Sequence, residues 1–160
     1  MRQDEKIQVA ILIIIAVYGV LVAAPIVLGN RVVEPFSELG VLGPEMKLGD
    51  YPREVNSGES FDLFIYLGNH VGELSYYRVL VKLGDSGLNV SDTEPYRGEL
   101  RDSFDYILLD ETNVTIPITL SLDDPGLNQR LVFELTRFDG ENFVYDGVWT
   151  QLWLNVTLPR

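Results

Sequence analysis

Ser60-Phe61-Asp62-Leu63-Phe64-Ile65-Tyr66-Leu67-Gly68 and, shortly after it, Leu74-Ser75-Tyr76-Tyr77-Arg78-Val79-Leu80-Val81-Lys82-Leu83 decide how this chain folds. In the first stretch Phe61, Leu63, Ile65 and Leu67 alternate with Asp62, Phe64 and Tyr66. In the second, Tyr77, Val79, Val81 and Leu83 share a face opposite Tyr76, Arg78, Leu80 and Lys82. An extended chain sends successive side chains to opposite sides, so a period of two reads as a strand with one face in a core. Similar signals recur around Glu99 to Leu109, Asn113 to Leu122, Arg130 to Phe138, Phe143 to Tyr145 and Trp149 to Leu158. Asp85-Ser86-Gly87, Asp123-Asp124-Pro125-Gly126, Asp139-Gly140 and Asp146-Gly147 separate them with residues that tolerate tight turns. Short strands, frequent turns and no convincing helix in this part predict an all-β, Ig-like antiparallel sandwich.

The strand from Asn113 constrains the arrangement further. Val114, Ile116, Ile118, Leu120 and Leu122 must face inward together, which turns Asn113, Thr115, Pro117, Thr119 and Ser121 outward. Pro117 has no N–H for a ladder, so this strand belongs at an edge or a bulge. In the last strand Leu152, Leu154, Val156 and Leu158 face in, and Gln151, Trp153, Asn155 and Thr157 face out.

Ahead of the strands lies an uncharged, mainly apolar run from Ile7 to Leu28. Roughly 22 residues rising about 1.5 Å each make a helix of about 33 Å, enough to cross a hydrocarbon layer of about 30 Å. The expected organisation is a short cytoplasmic tail (1–6), a transmembrane helix (7–29), an extended juxtamembrane segment packing on the sandwich (30–58) and the extracytoplasmic sandwich itself (59–160). A cleaved secretory signal has a shorter apolar core. Val22-Ala23-Ala24 resembles a cut site, but Pro25 follows it. A pilin-type leader is the other alternative, and Asp4-Glu5-Lys6-Ile7 lacks the small residue at which such leaders are cut. Arg2, Lys6 and the amino terminus place the short end in the cytoplasm, with the C-terminal domain outside the cell membrane. Asn89-Val90-Ser91, Asn113-Val114-Thr115 and Asn155-Val156-Thr157 fit the N-glycosylation pattern, which needs that orientation.

The formal net charge is −12. It excludes nucleic acid as a natural partner and keeps the domain away from anionic lipid headgroups. There are no cysteines, so the fold rests on its core, without disulfides or a thiolate metal site. After the helix about 130 residues remain, the size of one domain.

The block Phe36-Ser37-Glu38-Leu39-Gly40-Val41-Leu42-Gly43-Pro44-Glu45, then Asp50-Tyr51-Pro52-Arg53-Glu54-Val55 and Gly58-Glu59, followed by Asn69-His70-Val71-Gly72-Glu73 and Tyr76-Tyr77-Arg78-Val79, resembles the extracytoplasmic part of an archaeal membrane protein family known as domain of unknown function 1616. The resemblance implies an archaeal envelope protein with a β-sandwich ectodomain. It brings no catalytic residues. Family members with several membrane helices before this domain differ from the present chain, which has one such run. Read from the residues alone, the block is scaffold: Gly40, Gly43 and Pro44 break an extended segment, and Pro52 holds Tyr51 extended.

No constellation of catalytic residues stands out. His70 is the sole histidine and falls in the expected turn between Asn69 and Gly72, so a histidine-based triad would depend on it alone. Asp123-Asp124, Asp110-Glu111 and Asp102 with Asp105 pair carboxylates as glycoside hydrolysis requires, yet adjacent acids in turns ordinarily cap and solubilise. Gly84-Asp85-Ser86-Gly87 does not lead into a helix as a phosphate cradle would. No cofactor, metal site or enzymatic activity is expected.

Interaction signals are clearer. Phe64, Tyr66, Tyr76 and Trp153 lie on faces that alternation turns to solvent, which marks either a docking surface or a face covered by the segment from Val32 to Tyr51. In the apolar run, Ala16, Gly19, Ala23 and Ala24 set small residues three and four apart, and Tyr18 adds a polar group that favours a protein neighbour over lipid. The leading expectation is a non-catalytic single-span accessory subunit that docks on other membrane proteins through anchor and ectodomain, with translocation or N-glycosylation machinery as candidate settings. A self-assembling surface or filament component and a carbohydrate- or ligand-binding module are the alternatives.

Overall fold

The computed structural model describes the backbone of residues 3–29 and 34–159 and the side chains of 8, 9, 11–22 and 34–159. The chain forms two compact units, Met1–Glu34 and Pro35–Arg160.

The first unit holds one helix, α1 (Gln3–Gly29). Its described side chains are all exposed, among them Ile14 at 67% and Tyr18 at 70%. They run unbroken only from Ile11 to Val22, and among the described residues no helix is long and apolar enough to cross a membrane.

The second unit is a sandwich of eight strands: β1 (Phe36–Leu42), β2 (Glu54–Asn56), β3 (Ser60–His70), β4 (Ser75–Gly84), β5 (Glu99–Leu108), β6 (Thr112–Ser121), β7 (Gly126–Phe138) and β8 (Phe143–Thr157). One sheet has the order β1-β3-β6 and the other β2-β8-β7-β4-β5. All pairings are antiparallel except β2 with β8, which is parallel. A first strand that serves one sheet and then, after a break, continues beside the last strand of the other is the Ig-like arrangement.

Alternation positions the core as the sequence demands. Leu63, Ile65 and Leu67 of β3, Ile116, Ile118 and Leu120 of β6, Tyr77, Val79 and Val81 of β4, and Leu131, Phe133 and Leu135 of β7 all point between the sheets and are buried. β6 lies at a sheet edge with Pro117 opposite Phe64, as its missing N–H requires.

Several expectations change. The sandwich begins at Pro35, because residues 36–42 and 54–56 are strands β1 and β2 of its two sheets, not a segment laid upon it. The signal of β1 is weak because a polar residue, Ser37, takes one of its inward positions while apolar Phe36 and Leu42 fall on its outward face. Phe143–Tyr145 and Trp149–Thr157 belong to one strand, Leu158 lies beyond its end and is exposed instead of facing in, and Asp146-Gly147 is an irregularity in its pairing with β7 instead of a turn. Gly147 has φ +74°, and a Cβ there would stand 2.8 Å from Asp92 O. That close approach comes from the long connection 85–98, which folds over the outer face of the larger sheet. Tyr96 of this connection is 2% exposed, Tyr145 donates to Ser91 O at 2.6 Å, and Arg130 donates to Leu88 O at 2.8 Å.

Beneath that cover Glu134 is wholly buried, with Lys82 Nζ 2.6 Å from its Oε2. Lys82 also donates to Tyr96 O at 2.9 Å, and the Tyr96 N–H donates to Glu134 Oε1. A charge this deep is tolerable only because it is compensated.

Candidate functional site

The side chains singled out in the sequence fall in four separate places. Phe64 and Tyr66 lie on the outer face of the smaller sheet. Among the described residues, 36–42 of the expected covering segment do not lie over them but enter the same sheet as β1, setting Gly40 opposite Tyr66 and Leu42 opposite Phe64. Tyr66 donates to Glu38 Oε2 at 2.9 Å, and that carboxylate raises the phenol's pKa.

At one end of this face His70 is the last residue of β3, not part of a turn. Its Nδ1 lies 3.1 Å from Glu111 Oε2, its Nε2 lies 3.5 Å from Glu38 Oε2, and its ring stacks on Phe36 at 4.7 Å. Glu111 holds φ 57°, a conformation that costs a non-glycine residue about 1–2 kcal/mol. The hydrogen bond to Glu111 and the charge of both acids raise the histidine's pKa against the opposing effect of desolvation. The two carboxylates sit on opposite ring nitrogens, so they cannot join the imidazole in one ligand set, and no group of metal-ligating side chains occurs among the described residues. Nothing in the cluster pairs a nucleophile with a base. Its carboxylates hold the imidazole and tie β1 and the β5–β6 turn to β3.

Asn69, beside it, is fully buried and joins four strands. It donates to Glu73 O (2.8 Å) and Leu108 O (3.1 Å) and accepts from Val71 N (3.2 Å) and the Tyr77 hydroxyl (3.0 Å), which also meets Ser37 Oγ at 3.0 Å. Ser37, Asn69 and Tyr77 all belong to the block that carries the family resemblance, so that block is explained by packing and satisfied polar groups.

The outer face of the larger sheet divides in two. The connection 85–98 covers one half. The other half is open and carries a row across four strands: Ile107 of β5 opposite Tyr76 of β4, then Phe138 of β7 opposite Phe143 of β8. Ile107 is 63% and Phe138 38% exposed. The Tyr76 and Phe143 rings meet edge to face at 4.9 Å, Phe138 and Phe143 lie tilted at 5.5 Å, and Arg78 caps Phe143 at 4.1 Å. Asp105 fixes Arg78 through two bonds of 2.6 and 2.7 Å and accepts from the Tyr76 hydroxyl at 2.7 Å, so its pKa is lowered, chiefly by Arg78. Of this row the sequence marked only Tyr76. Phe138 and Phe143 flank the Asp139-Gly140 turn, which places them side by side once the hairpin closes.

Trp153 lies on the same sheet, 37% exposed, with Arg130 4.5 Å above its ring. It lines a groove of about 620 Å³ with Gly49, Asp50, Tyr51, Arg53, Gln151 and Leu152. Among the expected modification sites, Asn89 and Asn113 are exposed, whereas Asn155 is half-buried and its side-chain oxygen accepts from Asn128 N at 2.7 Å. In α1, Tyr18 is exposed and Gly19 has no neighbour within 4 Å of a built Cβ. The side chains of Ala23 and Ala24 lie outside the described residues.

The chain is similar to the CARDB domain of the PF1109 protein from Pyrococcus furiosus, solved in complex with di-metal ions: identity is 12%, coverage 79% of this chain and 96% of that one, and the TM-score 0.49. It is also similar to β-glucosidase from Listeria innocua, at 16% identity over 78% of this chain and 17% of the enzyme chain, with a TM-score of 0.48. A chain of the complex between zinc α-2-glycoprotein and prolactin-inducible protein from human seminal plasma matches at 9% identity, 79% and 98% coverage and a TM-score of 0.47. A comparison with curated proteins gives no match. Residues 31–143 match the family described as "Domain of unknown function (DUF1616)", and the chain belongs to that family.

Proposed function

We propose that this protein is a non-catalytic, single-span membrane subunit whose Ig-like sandwich, outside the cytoplasm, docks onto other membrane proteins of a larger assembly. The observation that carries the reading is the open row of Ile107, Tyr76, Phe138 and Phe143, on a sheet whose other half is shielded by the protein's own connection. Large aromatic side chains with a polar handle are the type that anchor protein interfaces.

Other features support the same reading. α1 is helical over Gln3–Gly29, and the sequence Ile7 to Leu28 lacks charge, as an anchor requires. Small residues at Ala16 and Gly19, with Tyr18, suit contact with a neighbouring helix. The charge of −12 favours partners that present basic surface, and argues against direct attachment to anionic lipid. Protein translocation or glycan transfer in an archaeal envelope is the setting we favour.

The test is recovery of the tagged full chain from native membranes in mild detergent, with mass spectrometry of what accompanies it. A stoichiometric set of other membrane proteins is expected. The chain alone, or a polymer of it, would overturn the proposal in favour of a surface component.

A further inference from the structure

We infer that the open edge of β8 at Trp149–Trp153 is a strand-addition site, taking an extended segment of another protein by backbone pairing; this deepens the docking reading and rests on it. In the larger sheet β8 has β7 along one side, and on the other β2 pairs with it only over Asn155–Thr157. Upstream of Asn155, no described strand forms a ladder with that side, and β1, which runs nearby, pairs with β3 in the opposite sheet.

The direction of the backbone groups follows from the bonds β8 does make. Asn155 N donates to Arg53 O at 2.9 Å, and Thr157 O accepts from Ser57 N at 2.7 Å. Odd-numbered residues there turn their N–H and C=O toward β2. The strand keeps its alternation back to Trp149, because its register with β7 is continuous from Leu154 opposite Gln129 to Trp149 opposite Glu134. Trp149, Gln151 and Trp153 therefore present their N–H and C=O groups at the edge, while Thr150 and Leu152 spend theirs on β7.

Space exists for a partner strand. The chain leaves β8 just before Arg53, and the groove of about 620 Å³ opens between Gly49–Arg53 and Gln151–Trp153. The side-chain oxygen of Gln151, beside this groove, is buried without a hydrogen-bond partner.

The edge also lacks the devices that discourage pairing. β6 carries Pro117, β2 has three residues, β1 carries Glu38, and β5 carries Asp102 and Asp105. From Gly147 to Leu158 the chain has no charge and no proline. Proteins blunt such edges unless something covers them. A second copy is disfavoured, because two chains of charge −12 would repel, so the occupant is a segment of another, neutral or basic protein.

Hydrogen exchange on the full chain tests this, comparing the gently solubilised native complex with the separated chain in the same detergent. The amides of Trp149, Gln151 and Trp153 should exchange about 100-fold slower in the complex, while those of Thr150 and Leu152 stay alike. Gln151→Pro removes an N–H that β7 does not use, so it should leave the melting temperature within about 3 °C and release the partner. Equal exchange in both states, or a partner retained by Gln151→Pro, overturns the edge inference and leaves the docking reading standing. A chain recovered with no partner overturns both, and protection by a second copy overturns the choice of occupant.

Discussion

Asn69→Ala removes one side chain and strands four groups. Glu73 O and Leu108 O lose their donor, and Val71 N–H and the Tyr77 hydroxyl lose their acceptor. Tyr77 keeps Ser37, and Glu73 is at an exposed loop where water reaches, so two of the four carry a full penalty. At about 1–3 kcal/mol for each unsatisfied buried group, plus the cavity left behind, the loss is about 3–5 kcal/mol. For a domain of this size that lowers the melting temperature by roughly 10–20 °C. Tryptophan fluorescence reports it well, because Trp149 and Trp153 are both in β8. Asn69→Asp keeps the shape but sets an anionic oxygen against two carbonyls, so at neutral pH it should cost as much as the alanine and recover in part as the acid protonates. If either variant melts within about 1 kcal/mol of the parent, the claim that this node joins the strands through its hydrogen bonds is wrong.

Lys82→Met leaves Glu134 buried without compensation and should cost about 3–5 kcal/mol in denaturant unfolding, most of it recovered by adding Glu134→Gln; equal losses in both variants would contradict the charge-pair account. The lone histidine should titrate in NMR above its ordinary value of about 6.5 and return toward it in Glu111→Gln. Since the folded value is the raised one, the stabilisation this imidazole adds is complete below about pH 6.5 and disappears as pH rises through the folded value. Asp105 runs the other way: its folded value is lowered, so its bond to Arg78 stabilises above about pH 3.9 and is lost as pH falls through the folded value, an acid-side loss that Arg78→Met should remove. Glycopeptide mass spectrometry from an N-glycosylating host should find Asn89 and Asn113 better occupied than Asn155, whose amide already bonds Asn128 N; full occupancy at Asn155 with Asn113 empty would refute the accessibility argument.

The sandwich was legible because alternation is a strong signal where one face is dry. Leu63, Ile65 and Leu67, or Ile116, Ile118 and Leu120, have only one consistent way to face. β1 was not, because Ser37 faces inward while Phe36 and Leu42 face outward, and Asp146-Gly147 has the composition of a turn although it serves as an irregularity inside β8. The candidate surface was legible only in part. Tyr76 stood out as an aromatic on a wet face, but its grouping with Phe138 and Phe143 depends on which strands become neighbours. The cover made by residues 85–98 could not be read either, because a buried Tyr96 and a glycine at position 147 only gain meaning once the two are brought together. Likewise, the open edge of β8 is set by β2 being three residues long, a matter of where pairing stops.

The claim on which the proposed function depends is that α1 anchors the sandwich outside the cytoplasm. The chain has no cysteine, so single introduced thiols report cleanly. In intact cells a membrane-impermeant maleimide should label Ser86→Cys, in the exposed connection after β4, and should label Gln3→Cys only after permeabilisation. Labelling of both positions in intact cells, or of neither, would contradict the account.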